Sequence, residues 1–277
     1  MAIKKNGSKS LYGLILVRIA FTNNKGGFQV SNIIACYKWV LDEADIKINP
    51  DLSVDTGKAK GKISDYDKNA IQAAADAAGI LGGKAMGLTF GNAQARQSLK
   101  DALSRGLEEG FWINAAEANT ADGSVTAQAL AAAINKIGDV ELVICGEGAS
   151  DTYARQTAPR IGAILDLPVI TSVSAVRIEG KTITAVRKLD DCLETVKAAL
   201  PAVIAVLPEI NPPAIPGLKA VMAAGKKPVT EFKPIDLGID FTPKTKVTAV
   251  RGYVMERKNI ILNQGEAGDR VKELAAA

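Results

Sequence analysis

Short apolar runs alternate with amphipathic segments through the middle of the chain. The apolar runs predict buried strands at residues 33–40, 85–90, 111–114 and 141–145. Hydrophobic residues at three- and four-residue spacing predict helices at 67–78, after Asn92, at 126–137 and from about residue 154. Strands that alternate with helices are typical of a parallel sheet covered on both faces. We therefore predict an α/β fold.

The pattern changes beyond residue 170. Residues 174–178 and 181–189 flank the turn Glu179-Gly180 and predict an antiparallel hairpin, and residues 202–207 predict one more buried strand. A proline-rich loop and a short helix at 218–224 follow. From residue 228 the prolines are scattered and periodicity is weak, which predicts an arm with a terminal helix at 266–276. Such arms are usually stable only when they pack on another subunit.

The first thirty residues need separate treatment. Lysines precede an apolar run at residues 11–17, as in a signal peptide, but Arg18 interrupts the run and no small-residue cleavage site follows. The run is also far too short to span a bilayer. We predict a hairpin, with one strand at 11–20, a turn at 23–27 and a second strand near Ile33. A non-native or mis-assigned start is the alternative.

Composition removes several classes of function. The chain has 277 residues, 47% of them hydrophobic, and a net charge of +4. This balanced charge and an aromatic content of 5% argue against a nucleic-acid partner. No histidine is present, which excludes Ser-His-Asp and Cys-His nucleophile systems and His-ligated metals. We expect no catalytic side chain and no metal site.

The three cysteines indicate a compartment. Cys36, Cys145 and Cys192 are far apart and form no CxxC pair. The first two lie in apolar strand-like runs, where a small buried hydrophobic residue is the ordinary interpretation. This usage is typical of a reduced compartment, and we expect a cytoplasmic protein without a disulfide framework.

A glycine-bearing loop at residues 146–157 connects the strand at 141–145 to the following helix. Backbone N–H groups and the positive end of a helix dipole suit such a loop to an anion such as phosphate. Taken alone, it is more typical of an ordinary strand-to-helix connection, because it is neither a GxGxxG nor a Walker loop.

Three other polar segments should meet this loop at the carboxyl edge of the sheet, where ligands of open parallel sheets bind. They are residues 36–38, residues 64–67 and residues 90–92. Each has an ordinary explanation by itself: Lys38 as a solvated strand end, Asp67 as a helix cap, and Phe90 as a core residue.

Taken in order, these segments resemble the beta subunit of electron-transfer flavoprotein, in the FixA group. The matching stretches are residues 35–40 (ACYKWV), 42–46 (DEADI), 63–71 (ISDYDKNAI), 102–106 (ALSRG), 145–151 (CGEGASD), 200–203 (LPAV), and 210–212 (INP) through 226–228 (KKP). The resemblance extends over about residues 32–263. No single stretch is specific, but the ordered series is.

The resemblance implies a Rossmann-like domain, of the adenine-nucleotide-hydrolase type, that pairs with an alpha subunit. This domain would cover residues 31–227. Residues 1–30 lie outside the resemblance, and residues 228–277 would pack on the alpha subunit. The main FAD would be held mostly by the alpha subunit. The beta subunit would hold AMP or, in electron-bifurcating members, the adenylate end of a second FAD.

The resemblance also carries binding roles onto individual residues. The nucleotide contacts fall on Cys36, Ser64, Asp65, Tyr66, Asp67, Phe90, Gly146, Glu147, Gly148, Ala149, Ser150, Asp151, Thr152, Tyr153, Ala154, Arg155, Gln156 and Thr157. The family's recognition loop, which docks an acyl-CoA dehydrogenase or a similar redox partner, falls on residues 212–222. Leu218 occupies the position of its anchoring leucine. The alternative for Leu218 is the core face of the short helix that it begins.

One departure concerns the loop. Many members have a D-G-D-T run where this chain has Asp151-Thr152-Tyr153-Ala154, which is nearer the carnitine-linked branch. The lost glycine and second acid leave open how phosphates are held. Tyr153 either narrows the site or stacks on a ring, and Asp151 binds a ribose hydroxyl or the loop's own N–H groups.

The rival functions are an AMP- or ATP-binding regulatory module of the stress-protein type and a nucleotide-dependent enzyme such as an ATP pyrophosphatase.

Overall fold

The computed structural model describes residues 31–253 and 259–276. The first strand and the turn of the predicted hairpin lie outside these residues. The strand predicted near Ile33 is present, but both of its edges pair in parallel with other strands of the sheet. It is therefore a central strand, not the second strand of a hairpin.

Thirteen strands and seven helices make up the described chain. The strands are β1 (Asn32–Tyr37), β2 (Trp39–Leu41), β3 (Lys47–Ile48), β4 (Val54–Asp55), β5 (Gly61–Ile63), β6 (Lys84–Gly91), β7 (Glu109–Asn114), β8 (Val140–Gly146), β9 (Val169–Glu179), β10 (Thr182–Lys188), β11 (Leu193–Ala199), β12 (Ala202–Val206) and β13 (Val229–Phe232). The helices are α1 (Asp65–Leu81), α2 (Ser98–Ser104), α3 (Gly123–Ile137), α4 (Thr157–Leu165), α5 (Leu218–Ala224), α6 (Pro234–Leu237) and α7 (Ala267–Ala276).

Nine strands form one sheet in the order β11-β10-β9-β12-β8-β1-β6-β7-β13. All neighbours are parallel except β10, which runs antiparallel to β9 and β11. This confirms the Rossmann-like α/β prediction. The chain moves from β1 to β6 and β7 on one side, then returns to β8 on the other. The strand order thus reverses at β1 and β8, where ligands of such sheets bind.

The two faces of the sheet carry separate cores. Ile33 and Ala35 of β1 point towards α1 and α2, while Ile34 and Cys36 point towards α3 and α4. This alternation follows from the two-residue period of a strand. The alanines of α1 let that helix pack close to the strands, since five of its eight buried residues are Ala.

Several predicted boundaries differ from the structure. The hairpin after residue 174 is a three-stranded unit, because β11 pairs with β10. Most of β11 is exposed at the sheet edge, so its sequence lacks a hydrophobic alternation. Asn92 caps a short 3-10 segment that leads into α2, instead of α2 itself. The terminal helix is present as α7.

The C-terminal segment is partly integrated into the main domain. Val229–Phe232 forms β13, an edge strand of the nine-stranded sheet that pairs with β7. The first residues of the predicted arm therefore belong to the sheet. Ile239 and Phe241 then pack against the core beneath α3. Further along, the N–H group of Gly252 donates to Leu52 O at 2.7 Å. Among the described residues, no helix has the length and hydrophobicity needed to cross a membrane.

Candidate functional site

A cavity of about 590 Å³ opens at the carboxyl ends of β1, β6 and β8. Twelve of the residues assigned to the nucleotide line it: Cys36, Asp67, Phe90, Gly146, Glu147, Gly148, Ala149, Thr152, Ala154, Arg155, Gln156 and Thr157. The other six do not line the cavity: Ser64, Asp65, Tyr66, Ser150, Asp151 and Tyr153. The structure therefore brings the four predicted segments together at one edge of the sheet.

Asp67 connects the two strands at the reversal point. Its carboxylate accepts the Lys38 N–H at 2.8 Å, just after β1, and the N–H of Gly146 at the end of β8. The side chain is buried, and burial raises the pKa of Asp67 to about 7 against the opposing effect of these hydrogen bonds. The interpretation of Asp67 as a helix cap is wrong, because Ser64 is the N-cap residue of α1 and the Asp67 carboxylate connects the two strand ends instead.

The residues before Asp67 have structural partners. Ser64 Oγ accepts the N–H of Ser150 at 3.2 Å, which joins the start of α1 to the glycine-bearing loop. Asp65 pairs with Lys62 at 3.0 Å and with Lys68 at 2.5 Å, away from the cavity lining.

Asp151 and Tyr153 contact other residues of the protein and do not line the cavity. Asp151 forms an ion pair with Lys38 at 2.6 Å and accepts the N–H of Thr152 at 2.8 Å. Asp151 thus holds one N–H group of its own loop, and its contact with a ribose hydroxyl stays a prediction. The Tyr153 ring lies 5.0 Å from the Tyr66 ring, so its ring partner is a neighbouring side chain.

Glu147 connects the glycine-bearing loop to β9. It is 4% exposed and accepts Arg155 Nε at 2.9 Å and the N–H of Ser172 at 2.6 Å. Tyr153 and Arg155 both have positive φ, at 43° and 56°. Helical backbone cannot pass through these residues, so α4 begins at Thr157 and not near Ala154 as predicted.

Two helices begin at the cavity, and they differ in their capping. Asp122 Oδ1 accepts the N–H groups of Ser124 and Val125, so the start of α3 is already satisfied. The start of α4 has no side-chain cap, and the N–H groups of Thr157 and Ala158 have no acceptor within the described chain. An anion in the cavity would therefore find its donors at α4.

The inner wall of the cavity is less polar. Cys36 and Cys145 are register partners on β1 and β8, and both are buried. A hydrogen bond with Cys36, together with burial, holds the pKa of the Cys145 thiol well above its usual value. Phe90 lines the cavity and also packs on Phe241, with ring centroids 6.0 Å apart. Phe90 therefore packs on another core side chain and also borders the cavity, while its contact with a nucleotide stays a prediction. Within the described residues, no group of three or more Cys, Asp or Glu side chains could hold a metal ion.

A comparison with protein-family models matches residues 51–237 to the electron transfer flavoprotein domain. The match covers more than half of the chain and includes α1, the glycine-bearing loop and α5. The chain belongs to the electron transfer flavoprotein domain family. Electron transfer with a redox partner is accordingly the general role of this protein, as the resemblance implied.

The proline-rich loop of this electron transfer flavoprotein domain presents an apolar surface. Leu218 is 77% exposed at the start of α5, and Ile215 and Met222 are also largely exposed. The buried residue of α5 is Ala224, so the alternative that placed Leu218 on the core face of the helix is wrong. Asn69 and Arg105 donate to backbone carbonyls of the loop and hold it against the domain.

Some lining residues of the domain were not assigned from the sequence. They include Arg160, the first turn of α3 with its cap Asp122, and the arm residues Lys244 and Thr245. Lys38 also lines the cavity, in the segment 36–38 that was expected at this edge but without an assigned contact. The Asp122-Gly123-Ser124 run before an apolar helix is a recognisable cap signal and predicts a helix start earlier than residue 126. Lys244 and Thr245 carried no comparable signal, because they are far from the cavity in sequence.

Proposed function

We propose that this chain is the beta subunit of a heterodimeric electron-transfer flavoprotein and that its cavity binds the adenylate part of AMP or of a second FAD. The observation that carries the proposal is the uncapped start of α4, which opens into a cavity at the reversal point of the sheet. Its volume lies within the roughly 300–1,000 Å³ typical of small-molecule sites.

The side chains present fit an adenylate group. The N–H groups of Thr157 and Ala158 would hold a phosphate, and the neighbouring Arg160 forms no ion pair within the described residues. Cys36 and Phe90 offer a largely apolar wall to a purine. The carboxylates of Asp67 and Glu147 accept hydrogen bonds from N–H groups of the protein. They would therefore stabilise the walls of the cavity, and other groups would contact the ligand.

The flavin supplies the redox chemistry when it is bound, and the protein binds and orients it. In this proposal the main FAD is held mostly by an alpha subunit, and the heterodimer carries electrons between an acyl-CoA dehydrogenase or NADH donor and an acceptor. The part of the arm beyond Thr245 would pack on the alpha subunit. Its exposed Val247, Val250 and Tyr253 provide an apolar surface for that contact.

Counting released nucleotides tests the assignment. The complex purified from its source is expected to be yellow and to contain two different chains. Acid release should yield one FAD and one AMP per heterodimer, or two FAD. A colourless homodimer that releases only AMP or ATP would instead support the regulatory-module alternative.

Leu218→Ala is expected to weaken docking of the redox partner while the flavin content stays normal. Truncating an exposed apolar anchor that is buried on binding costs about 2 kcal/mol, or about thirty-fold in affinity. The measurement is the partner concentration needed for half-maximal electron transfer. Leu193→Ala, at the exposed start of β11 on the opposite sheet edge, is the matched control. Equal kinetics for wild type and Leu218→Ala would remove Leu218 from the docking surface.

A further inference from the structure

The carboxylate of Asp122 binds two separate parts of the chain. Its Oδ1 atom caps α3 through the N–H groups of Ser124 at 2.9 Å and Val125 at 3.0 Å. Its Oδ2 atom accepts the N–H groups of Lys244 at 2.7 Å and Thr245 at 3.1 Å. Thr245 Oγ1 adds a longer bond to Oδ2 at 3.4 Å. One side chain thus joins a helix start to the arm.

This junction forms one corner of the cavity. Asp122, Lys244 and Thr245 all line it. Gly123 brings the start of α3 against Gln156, the N-cap residue of α4, since a Cβ atom on Gly123 would lie only 2.7 Å from Gln156 Oε1. The uncapped N–H groups of α4 and the arm residues bonded to Asp122 therefore line the same cavity.

The arm is held at a second point, beyond this corner. After Thr245 it runs to Gly252, whose N–H donates to Leu52 O in the β3–β4 ribbon at 2.7 Å. Val247 and Val250, between the two points, are largely exposed. On the other side of the corner, Phe241 packs on Phe90 three residues before Lys244. Asp122 is therefore the polar contact that holds Lys244 and Thr245 in the cavity wall, between that ring contact and an exposed stretch with few contacts.

We propose that Asp122 is a positioning residue that holds the arm as a wall of the nucleotide cavity, so that release of the nucleotide requires the arm to detach. This inference rests on the proposed function of the cavity. By linkage, an occupied cavity must stabilise the seated arm to the same extent that the seated arm retains the nucleotide. Hydrogen bonds from Val125, Lys244 and other backbone N–H groups lower the pKa of Asp122 to about 2, so the carboxylate stays charged at neutral pH.

Asp122→Ser separates the two roles of this side chain. Serine is a preferred N-cap residue, and its hydroxyl can still accept from an N–H group at the start of α3. The single hydroxyl is too short to accept from the N–H groups of the arm as well. The purified full-length complex is loaded with radiolabelled AMP and chased with unlabelled AMP. We expect AMP to leave about ten-fold faster from the variant, with the free energy of unfolding little changed.

Hydrogen exchange of residues 240–252 supplies a second readout. In the wild type, added AMP should slow exchange of these amides, and in Asp122→Ser they should exchange faster with or without AMP. Asp240→Ser is the control, because Asp240 accepts only from the nearby Thr242 and does not line the cavity.

The outcomes separate the two proposals. Normal AMP binding with an unchanged release rate in Asp122→Ser overturns the role of Asp122 and leaves the proposed function standing. Faster release without any change in arm exchange also overturns it. A wild-type complex that retains neither AMP nor a second FAD overturns the proposed function and this inference together.

Discussion

Gly146→Ala is expected to lower the free energy of unfolding by about 3 kcal/mol and to abolish nucleotide retention. A Cβ atom on Gly146 would lie 2.5 Å from Asp67 Oδ1, a separation that non-bonded atoms do not tolerate. Asp67 would have to move and lose its bonds to the ends of β1 and β8. Overpacking costs about 1–3 kcal/mol, and a buried hydrogen-bonding group left without its partner costs a similar amount.

The added methyl group would point at Asp67, so we expect the nucleotide to be lost because Asp67 is displaced. Urea denaturation and nucleotide counting measure the two effects. Gly79→Ala, in the last turn of α1, is the matched control, because nothing lies within 4 Å of its added Cβ atom and alanine is favoured over glycine in a helix. If Gly146→Ala has the same free energy of unfolding as the wild type and keeps its nucleotide, the hydrogen bonds of Asp67 to the ends of β1 and β8 do not determine the geometry of the site.

Asp67 should make stability fall as the pH rises from about 4 to about 7. Burial raises its folded-state pKa to about 7, while the unfolded value is 3.8. Between these values the folded state binds the extra proton, so unfolding becomes easier with rising pH, by at most ~1.4 kcal/mol per pH unit. The contribution is complete below the unfolded pKa and is lost as the pH passes the folded pKa.

Asp67→Asn should remove this slope, since an amide does not titrate. The variant loses one hydrogen bond at every pH, because its NH₂ group faces a backbone N–H. Its deficit relative to wild type should therefore be largest near pH 4 and shrink towards pH 8 in urea titrations. Asp65→Asn is the control in the same helix turn: burial raises the pKa of Asp65, but ion pairs with Lys68 and Lys62 lower it overall. Asp65→Asn should leave the slope between about pH 5 and 7 intact, and a wild-type curve flat over that range would contradict the role of Asp67.

Much of the fold follows from local pattern. The helices α1 and α3 have long amphipathic periods, and the central strands are short apolar runs, so both were predicted with boundaries within a few residues. Within the nine-stranded sheet, the two strands that the sequence missed lie at the edges, and the two-stranded sheets β2-β5 and β3-β4 were not predicted either. β11 is largely exposed, and β13 lies in a segment of weak periodicity, so neither carries the hydrophobic signal of a buried strand.

The candidate site divides in the same way. The sequence determined by itself that a glycine-bearing loop joins a buried strand to a helix, and that several polar segments follow neighbouring strands. It did so because strand and helix periods are local properties of the chain. Which side chains face the cavity depends on contacts between distant segments. Asp67 meets Gly146, Asp151 meets Lys38, and Asp122 meets Thr245 across 79, 113 and 123 positions of sequence. Only the tertiary structure could decide these contacts, because no local pattern encodes which remote donor a carboxylate will find.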